Sequence, residues 1–477
     1  MLDKLPSNLL TIRGWGLCAA GAVSLIAAEV LGRRDLLHLG FFLILLPVLA
    51  ALALQLLKPR FIIERAFRPA SIETGSTTTA RLGVRRSGPL GGSITMTEQL
   101  PEHFGQPPAF TYPSSVASRS GRSLYEYRLR TDRRGLYRIG PVSADFADPF
   151  GLSHHHHMLG DVDMLTVTPA PHPLPESSVS GSRGTEGATA TRTQANPSND
   201  DVMTREYRHG DPMRRVHWPA TARQGELMVR QEESVTTPQA TIIMDQRATA
   251  FRSNAYTSLA ESTPSKDDLF TTVNFEWAVT AVVSAAHHLM ERNYSVRLLD
   301  SRAAAGLLRS ASTSWPEQEE FSGTAGMHNL AEGLADLQLE ADPPSGKTTN
   351  RAPSATAHPQ RTPAPAGPAG GGAFSDALME ALAANRLRGP LIAVTGRLTS
   401  AEAAELAAAA EFGSHAFALL VTDRPGEAEP ELDILRASGW RAVAVNSKSS
   451  LPAAWAHYDA PHAHSRPTAK TSLGAPQ

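Results

Sequence analysis

The pattern of hydrophobic and polar positions changes twice along the chain. Two apolar runs come first, over residues 15–32 and 36–57, and each has about the 20 residues that a helix needs to cross a bilayer. Residues 61–170 then hold short alternating runs separated by Gly, Pro and Ser, which predict the β-strands of a small sandwich-like domain. After residue 201, apolar runs of strand length alternate with runs of helix length, which predicts an α/β domain with a mostly parallel sheet.

These changes divide the chain into a transmembrane helical hairpin over residues 1–60, a β-rich domain over 61–170 and an α/β domain over 201–456. Residues 171–200 are small and polar, which is typical of a flexible linker. Within the α/β domain, residues 342–372 are rich in Pro, Ala, Gly and Thr and are predicted to form a disordered insertion. A disordered tail is predicted for residues 457–477.

The basic residues around the hairpin predict its orientation. Six of them flank its outer ends, namely Lys4, Arg13, Lys58, Arg60, Arg65 and Arg68. Only Arg33 and Arg34 lie in the short loop, so the positive-inside rule places both termini and the soluble domains in the cytoplasm. The chain is therefore predicted to be a multi-pass protein of the cell membrane. A cleaved signal peptide is the alternative for the first run, but a second run follows it at once.

Composition excludes several classes of function. The 477 residues carry a formal net charge of −2, so no global basic field indicates a nucleic-acid partner. Cys18 is the only cysteine and lies in the first apolar run, which excludes an internal disulfide and a thiol nucleophile in a soluble site. The sequence contains neither a G-x-S-x-G nor an H-E-x-x-H motif, so the standard hydrolase arrangements are missing. We predict no catalytic residue and no cofactor.

One segment, residues 205–233, concentrates arginines, carboxylates and two aromatic residues. Val216 and Trp218 alternate with polar residues, and so do Leu227 and Val229, which predicts two short strands. A loop bracketed by Pro219 and Gly225 would join them. Trp218, inside a paired strand, is predicted to fill a core.

The spacing within this segment is specific. Its elements are Tyr207-x-x-Gly210-Asp211-x-x-Arg214-x-Val216-x-Trp218, then Ala222-Arg223, then Leu227-x-Val229-Arg230. This pattern closely resembles the signature of the domain of unknown function 58 family, with Thr221 and Gln231 where that family usually has Ser and Glu. Residues 134–141 (RGLYRIGP) and 148–152 (DPFGL) resemble segments that precede the signature in the same family. The signature residues predicted to form an interaction surface are Tyr207, Arg208, Gly210, Asp211, Arg214, Trp218, Ala222, Arg223 and Arg230.

The resemblance implies that the α/β domain is similar to the von Willebrand factor A fold. That fold often binds a divalent cation through an Asp-x-Ser-x-Ser loop, a threonine on a second loop and an aspartate after a later strand. Here the loop begins with Asp245, and Arg247 and Thr249 take the two serine positions, so a cation replaces one hydroxyl ligand. Thr324 is a candidate for the second-loop threonine, and Gly396 stands where the aspartate is expected. We therefore predict a degenerate metal site, in which Asp245 pairs with Arg247 as a loop carboxylate.

Four consecutive histidines, residues 154–157, follow the β-rich segment. Histidine is the commonest metal ligand, so a zinc or copper site is one interpretation. Four consecutive side chains of a strand cannot all converge on one ion, because they alternate between its faces. The favoured interpretation is a solvent-exposed loop.

The resemblance implies a membrane-anchored, non-catalytic interaction or scaffold protein. Its implied partners are a MoxR-type AAA+ ATPase and a transglutaminase-like membrane protein, in the assembly or maturation of cell-envelope or other complexes. The arginine-rich segment would then be either the docking surface or the clasp between the two domains. Two other classes stay open: a ligand-binding module that depends on a divalent cation, and an enzyme with an unfamiliar site built on Arg208, Asp211, Arg214 and His217.

Overall fold

The computed structural model of the chain describes residues 10–56, 60–87, 94–112, 122–148, 150–177, 204–207, 213, 216–230, 238–252, 269–340, 372–384 and 388–459. The predicted insertion, except for its last residue, lies outside the described residues. So do residues 178–200 of the predicted linker and residues 460–477 of the predicted tail.

Two long helices form the N-terminal hairpin, α1 (Ile12–Leu31) and α2 (Arg34–Leu56). Both are long and apolar enough to cross a membrane. They approach closely where both carry glycine: a side chain at Gly21 would lie 2.6 Å from Ile44, and one at Gly40 would lie 3.0 Å from the Gly21 carbonyl oxygen. Small residues at such a seam allow two apolar helices to pack backbone against backbone. Large apolar side chains such as Phe42 are exposed on the outer surface.

Within its described residues, the β-rich region has ten strands. They are β1 (Arg60–Arg68), β2 (Ser71–Glu73), β3 (Thr77–Ser87), β4 (Ile94–Glu98), β5 (Ala109–Tyr112), β6 (Arg122–Arg130), β7 (Gly135–Ile139), β8 (Val142–Ala147), β9 (His154–Leu159) and β10 (Asp163–Thr168). Three sheets result, with the strand orders β1-β3-β6, β2-β10-β7 and β5-β4-β8-β9. Alternation along β3 turns Ala80, Leu82 and Val84 towards the other two sheets, so one face of the β1-β3-β6 sheet covers both. The β-rich region that the alternating runs predict is confirmed, with one sheet packed against two others.

A buried ion pair joins the β1-β3-β6 sheet to the other two sheets of the β-rich region. The Arg65 guanidinium of β1 donates to Glu98 at the end of β4 at 2.6 Å and to Asp163 of β10. Arg65 and Glu98 are almost completely buried, and the Tyr127 hydroxyl of β6 donates to the second Glu98 oxygen at 3.0 Å. Burial opposes the charge of Arg65, but its carboxylate partners raise its pKa overall. Four strands from all three sheets therefore meet at one charged group.

The histidine-rich segment is a strand, so the predicted loop is wrong. Residues 154–159 form β9, the edge strand beside β8. As the alternation of a strand requires, the rings of His155 and His157 stack on each other, whereas His156 hydrogen-bonds to Asp145 at 2.8 Å. Among the described residues, no group of three or more His, Cys, Asp and Glu side chains is arranged to hold a metal ion.

The C-terminal part begins with the signature elements β11 (Thr204–Glu206), α3 (Trp218–Gln224) and β12 (Met228–Arg230). The α/β domain follows, and its elements are β13 (Gln239–Met244), α4 (Val273–Met290), β14 (Ser295–Asp300), β15 (Glu320–Phe321), α5 (Gly323–Ala335), α6 (Asp376–Ala383), β16 (Pro390–Thr395), α7 (Ser400–Ala408), β17 (His415–Val421), α8 (Glu429–Ala437), β18 (Trp440–Val445) and α9 (Leu451–Ala456). The strand order is β15-β14-β13-β16-β17-β18, with only β15 antiparallel to its neighbour. The predicted mostly parallel sheet is confirmed.

Helices cover both faces of this sheet, which is why its central strands are apolar throughout. On one face α4, α5 and α9 enclose a core that includes Ile242, Phe275 and Trp455. On the other face α6, α7 and α8 enclose a core that includes Ile243 and Trp440. Consecutive residues Ile242 and Ile243 thus serve opposite cores, as strand geometry requires.

Two predicted boundaries are corrected by packing. Tyr458, placed by sequence in the disordered tail, is fully buried beside Phe417 and Trp455. The predicted linker is packed at its start, because the His172 N–H donates to the Ser284 hydroxyl of α4 at 2.8 Å. Leu174 of the same segment packs against the core of the α/β domain, so both errors arise where an apolar residue in polar surroundings reaches a core that is formed by distant elements.

His288 makes the stability of the domain sensitive to acid. Its ring is buried against Trp455, and burial, assisted by the positive charge of Arg292, lowers its pKa to about 4. The unfolded chain, with an ordinary histidine pKa of about 6.5, therefore binds a proton first as the pH falls. We expect His288 to leave the unfolding free energy unchanged above pH ~6.5. By pH ~4.5 it should lower the unfolding free energy by roughly 2 kcal/mol.

Urea titrations of wild type and His288→Leu at neutral pH and at pH ~4.5 measure this loss of unfolding free energy. The variant, which cannot ionise at this position, should lose about 2 kcal/mol less than wild type between neutral pH and pH ~4.5. Equal acid losses in the two proteins would contradict the assignment.

Candidate functional site

The strand order reverses between β13 and β16, and in open α/β sheets the crevice beyond the carboxyl ends of such strands is where ligands bind. Asp245 follows β13 directly, and its side chain is fully buried. Its backbone N–H donates to the Val394 carbonyl of β16 at 2.9 Å. Gly396 follows β16 on the other side of the crevice. Asp245 and Gly396 therefore lie at the same edge of the sheet.

The positive charge in this crevice comes from a side chain of the protein, Arg247. Arg247 donates from Nε and Nη2 to the two oxygens of Asp245, at 2.9 and 2.8 Å. Its Nη1 donates to Glu402 of α7, and the guanidinium lies over the Phe374 ring, 5.5 Å from its centroid. A guanidinium matches a carboxylate bidentately, so this is the strongest geometry available to such a pair.

The carboxylate of Glu402 is held in position for this contact by hydrogen bonds at the start of α7. Thr399 caps α7, and its N–H donates to Glu402 at 2.8 Å, while the Glu402 N–H donates to the Thr399 hydroxyl. Burial raises the pKa of Glu402, but these hydrogen bonds and the Arg247 charge outweigh burial and hold the pKa below its ordinary value. The pKa of Arg247 is raised by its two carboxylate partners against the effect of burial. Both groups are therefore charged at neutral pH.

The other predicted metal positions do not converge on Asp245. Thr324 lies in the first turn of α5, just after β15, which pairs with Val296 near the start of β14 and thus at the opposite edge of the sheet. Its assignment as the second-loop threonine is wrong. Thr249 is exposed. A side chain at Gly396 would lie 2.3 Å from the Ala250 carbonyl oxygen, so this backbone leaves no room for the expected aspartate.

The signature segment folds differently from the prediction. Trp218–Gln224 is a helix, α3, where a loop between two strands was predicted. His217 caps it by accepting the Ala220 N–H at its Nδ1, and Gly225 ends it in the left-handed conformation at φ 77°. The flanking strands β11 and β12 pair with each other. Four signature residues lie outside the described residues, namely Arg208, Gly210, Asp211 and Arg214.

Trp218 is not a core residue. Its side chain is 63% exposed at the start of α3, and Ala222 and Arg223 on the same helix are also exposed. The small core of the segment is made by Val216, Met228 and Val229 instead. Tyr207 is half-buried and its N–H donates to the Leu227 carbonyl, while Arg230 pairs with Thr204 through the backbone. The segment therefore presents a large aromatic residue and an arginine to solvent.

Arg134, the first residue of the RGLYRIGP segment, joins the two domains, a role that the sequence did not predict. Arg134 precedes β7 and is almost completely buried, and its Nε and Nη2 donate to the two oxygens of Glu276 in α4 at 2.8 and 2.9 Å. Its Nη1 donates to the carbonyls of Leu334 and Ala335, which end α5. The guanidinium also lies 5.8 Å from the centroid of the Phe275 ring. Arg134 is thus the clasp between the β-rich region and the α/β domain.

Comparison with known proteins agrees with the signature. Residues 203–287 match the family model described as "Protein of unknown function DUF58". The chain carries a DUF58 region. This DUF58 region includes β11 to β13, the Asp245 loop and most of α4, so it contains both Arg247 and Glu276.

Two further comparisons add little to the DUF58 match. The chain is similar at 16% identity and a TM-score of 0.16 to the CARDB domain of a Pyrococcus furiosus protein, solved in complex with di-metal ions. That similarity covers 24% of this chain and 96% of the other. No curated protein matches the chain.

Proposed function

We propose that the protein is a membrane-anchored, non-catalytic interaction protein. Its α/β domain would be a von Willebrand factor A-like module in which Arg247 takes the place of a divalent cation. The observation that carries this proposal is the guanidinium held by Asp245 and Glu402 at the carboxyl edge of the sheet. The Arg247 guanidinium neutralises both carboxylates, as a bound metal ion would.

The anchor part of the proposal rests on the hairpin. Both of its outer ends lead to the β-rich region, because residue 10 contacts Ser153 and α2 is followed by β1. The basic residues flank this same end, so we place the soluble domains in the cytoplasm, with the hairpin crossing the cell membrane twice.

The proposed partner is a MoxR-type AAA+ ATPase, in company with a transglutaminase-like membrane protein. The docking element would be the DUF58 signature, because α3 exposes Trp218 and Arg223, and tryptophan and arginine are enriched among the residues that dominate interface energies. The contact of Arg134 with Glu276 shows a clasp between the domains outside the signature, and this supports the docking role over the clasp role for the signature.

Trp218→Ala should abolish capture of the ATPase without unfolding the protein. The side chain is mostly exposed, so we expect a change in unfolding free energy within about 0.5 kcal/mol. The measurement is an affinity pull-down of the detergent-solubilised full-length chain with mass spectrometry, together with a urea titration of the same sample.

Two tryptophans provide controls for this variant. Trp440 is fully buried, so Trp440→Ala should cost about 3–5 kcal/mol and shows that the titration detects a lost core residue. Trp315 is exposed in the loop between β14 and β15, so Trp315→Ala should keep both the stability and the partner. Undiminished capture by Trp218→Ala would contradict the docking assignment.

Titration calorimetry with Mg²⁺ and Mn²⁺ tests the internal cation. The wild-type chain should give no binding heat, because Arg247 already neutralises the carboxylates and would repel a second cation. Its melting temperature should be the same in EDTA and in excess Mg²⁺. Stoichiometric binding of either metal would instead favour the ligand-binding module that depends on a divalent cation.

A further inference from the structure

The DPFGL segment between β8 and β9 holds one aromatic side chain outwards. Asp148 closes the turn: its Oδ1 accepts the Phe150 N–H at 2.7 Å, and its Oδ2 accepts both the N–H and the hydroxyl of Ser153. Asp148 and Leu152 are buried, whereas Phe150 is 66% exposed. Asp148 and the buried Leu152 thus hold the turn in one conformation, with Phe150 on its outer side.

This loop is attached to the first turn of α1. The Thr11 N–H donates to the Leu152 carbonyl at 2.9 Å, and the Thr11 hydroxyl donates to the Gly151 carbonyl at 2.7 Å. Gly14 permits the approach, because a side chain there would lie 2.2 Å from the Leu152 carbonyl oxygen. The loop is thus fixed to the N-terminal end of the helix by hydrogen bonds from the N–H and the hydroxyl of Thr11.

The length of α1 sets the depth of the loop. The 20 residues of Ile12–Leu31 extend about 30 Å, which equals the thickness of the hydrocarbon core. Ile12 then lies at the boundary between hydrocarbon and headgroups, and so do Gly151 and Leu152, which contact the residue before it. Phe150 is one peptide unit further, within about 4 Å of Gly151.

We propose that Phe150 inserts into the interfacial layer of the bilayer beside α1 and so seats the β-rich region on the membrane surface. Its neighbours fit this layer: Trp15 is exposed on the first turn of α1, and the Arg13 guanidinium flanks Gly151. Aromatic rings concentrate at this depth of a membrane, and basic residues there meet the lipid phosphates. This inference rests on the proposed membrane anchor.

Site-specific fluorescence on the full-length chain tests the proposal. The single native cysteine, Cys18, allows an NBD label to be placed on Cys18 itself, or at position 150 or 315 through Phe150→Cys or Trp315→Cys in a Cys18→Ser background. Each protein is reconstituted in phosphatidylcholine liposomes with or without lipid that carries a nitroxide near the headgroup. The label at position 150 should emit at shorter wavelength than the label at 315 and be quenched by the nitroxide lipid.

Position 315 is the matched control, because Trp315 is 67% exposed and lies in the α/β domain. Cys18 is the control for the anchor, since it lies about 9 Å along α1 from Ile12. Quenching at Cys18 together with equal, weak quenching at 150 and 315 would overturn the seating of Phe150 and leave the anchor intact. A label at Cys18 that the nitroxide lipid does not quench would overturn the anchor and this inference with it.

Discussion

Arg134→Ala is expected to lower the unfolding free energy of the full-length protein by about 2–4 kcal/mol, because it removes a buried guanidinium together with its ion pair to the partly exposed Glu276 and its hydrogen bonds to two helix-end carbonyls. The loss leaves Glu276 without its charged partner and two helix-end carbonyls without donors. A carboxylate without its charged partner and a buried carbonyl without a donor each destabilise a folded protein. Urea titration followed by tryptophan fluorescence measures the change, and limited proteolysis of the segment between the domains should become faster.

The adjacent residue is the natural control. Arg133 is exposed, so Arg133→Ala removes the same charge from the same turn and should change stability by no more than about 0.5 kcal/mol. If the two alanine variants unfold at the same urea concentration, Arg134 is not the clasp.

Arg65→Met is expected to have a similar effect within the β-rich region, about 3–5 kcal/mol, because Glu98 would stay buried as an uncompensated charge. The side chain of methionine is of comparable length, so the loss reports the charge more than the volume. The double variant Arg65→Met/Glu98→Leu should recover much of the stability, since an apolar pair replaces the buried charges.

An exposed ion pair in the same region calibrates this result. Arg122 and Glu64 are 2.8 Å apart and about half exposed, so Arg122→Met should cost no more than about 1 kcal/mol. Equal losses for Arg65→Met and Arg122→Met would show that burial does not set the strength of the Arg65 pair.

The periodic elements of the fold could be predicted from sequence. The run FEWAVTAVVSAAHHLMERN has helix length and is α4, and QATIIMD has strand length and is β13. A wholly apolar strand followed by a long helix is typical of a sheet covered on both faces, and this gave the α/β class. The boundaries were less accurate, because Tyr458 is held by Phe417 and Trp455 rather than by any local pattern.

The α3 helix was missed because its signals conflict. Val216 and Trp218 alternate, which fits a strand, yet His217 as cap, Pro219 in the first turn and Gly225 at the end fit a seven-residue helix. The capping residues of a seven-residue helix are a weaker signal than alternation, so the sequence pattern favours a strand here. The error carried over to Trp218, which a strand would have buried and the helix exposes.

The candidate sites were predictable only where the partners are close in sequence. Asp245 and Arg247 are two residues apart, so their pairing could be expected, and the structure adds Glu402 from α7. Arg134 could not be assigned in this way. Its partners Glu276 and Leu334 come from two helices of another domain, and no local spacing connects them.

The cap on α5 has a consequence for how the chain folds during synthesis. The donor, Arg134, lies 200 positions before the Leu334 carbonyl that it satisfies, so the ribosome releases the β-rich region long before α5. The finished β-rich region can therefore act as a template on which the end of α5 closes, late and over a long sequence separation. An α/β domain made without the β-rich region would lack the Arg134 donor at the end of α5, so the order of the two domains along the chain makes that donor available before α5 is synthesised.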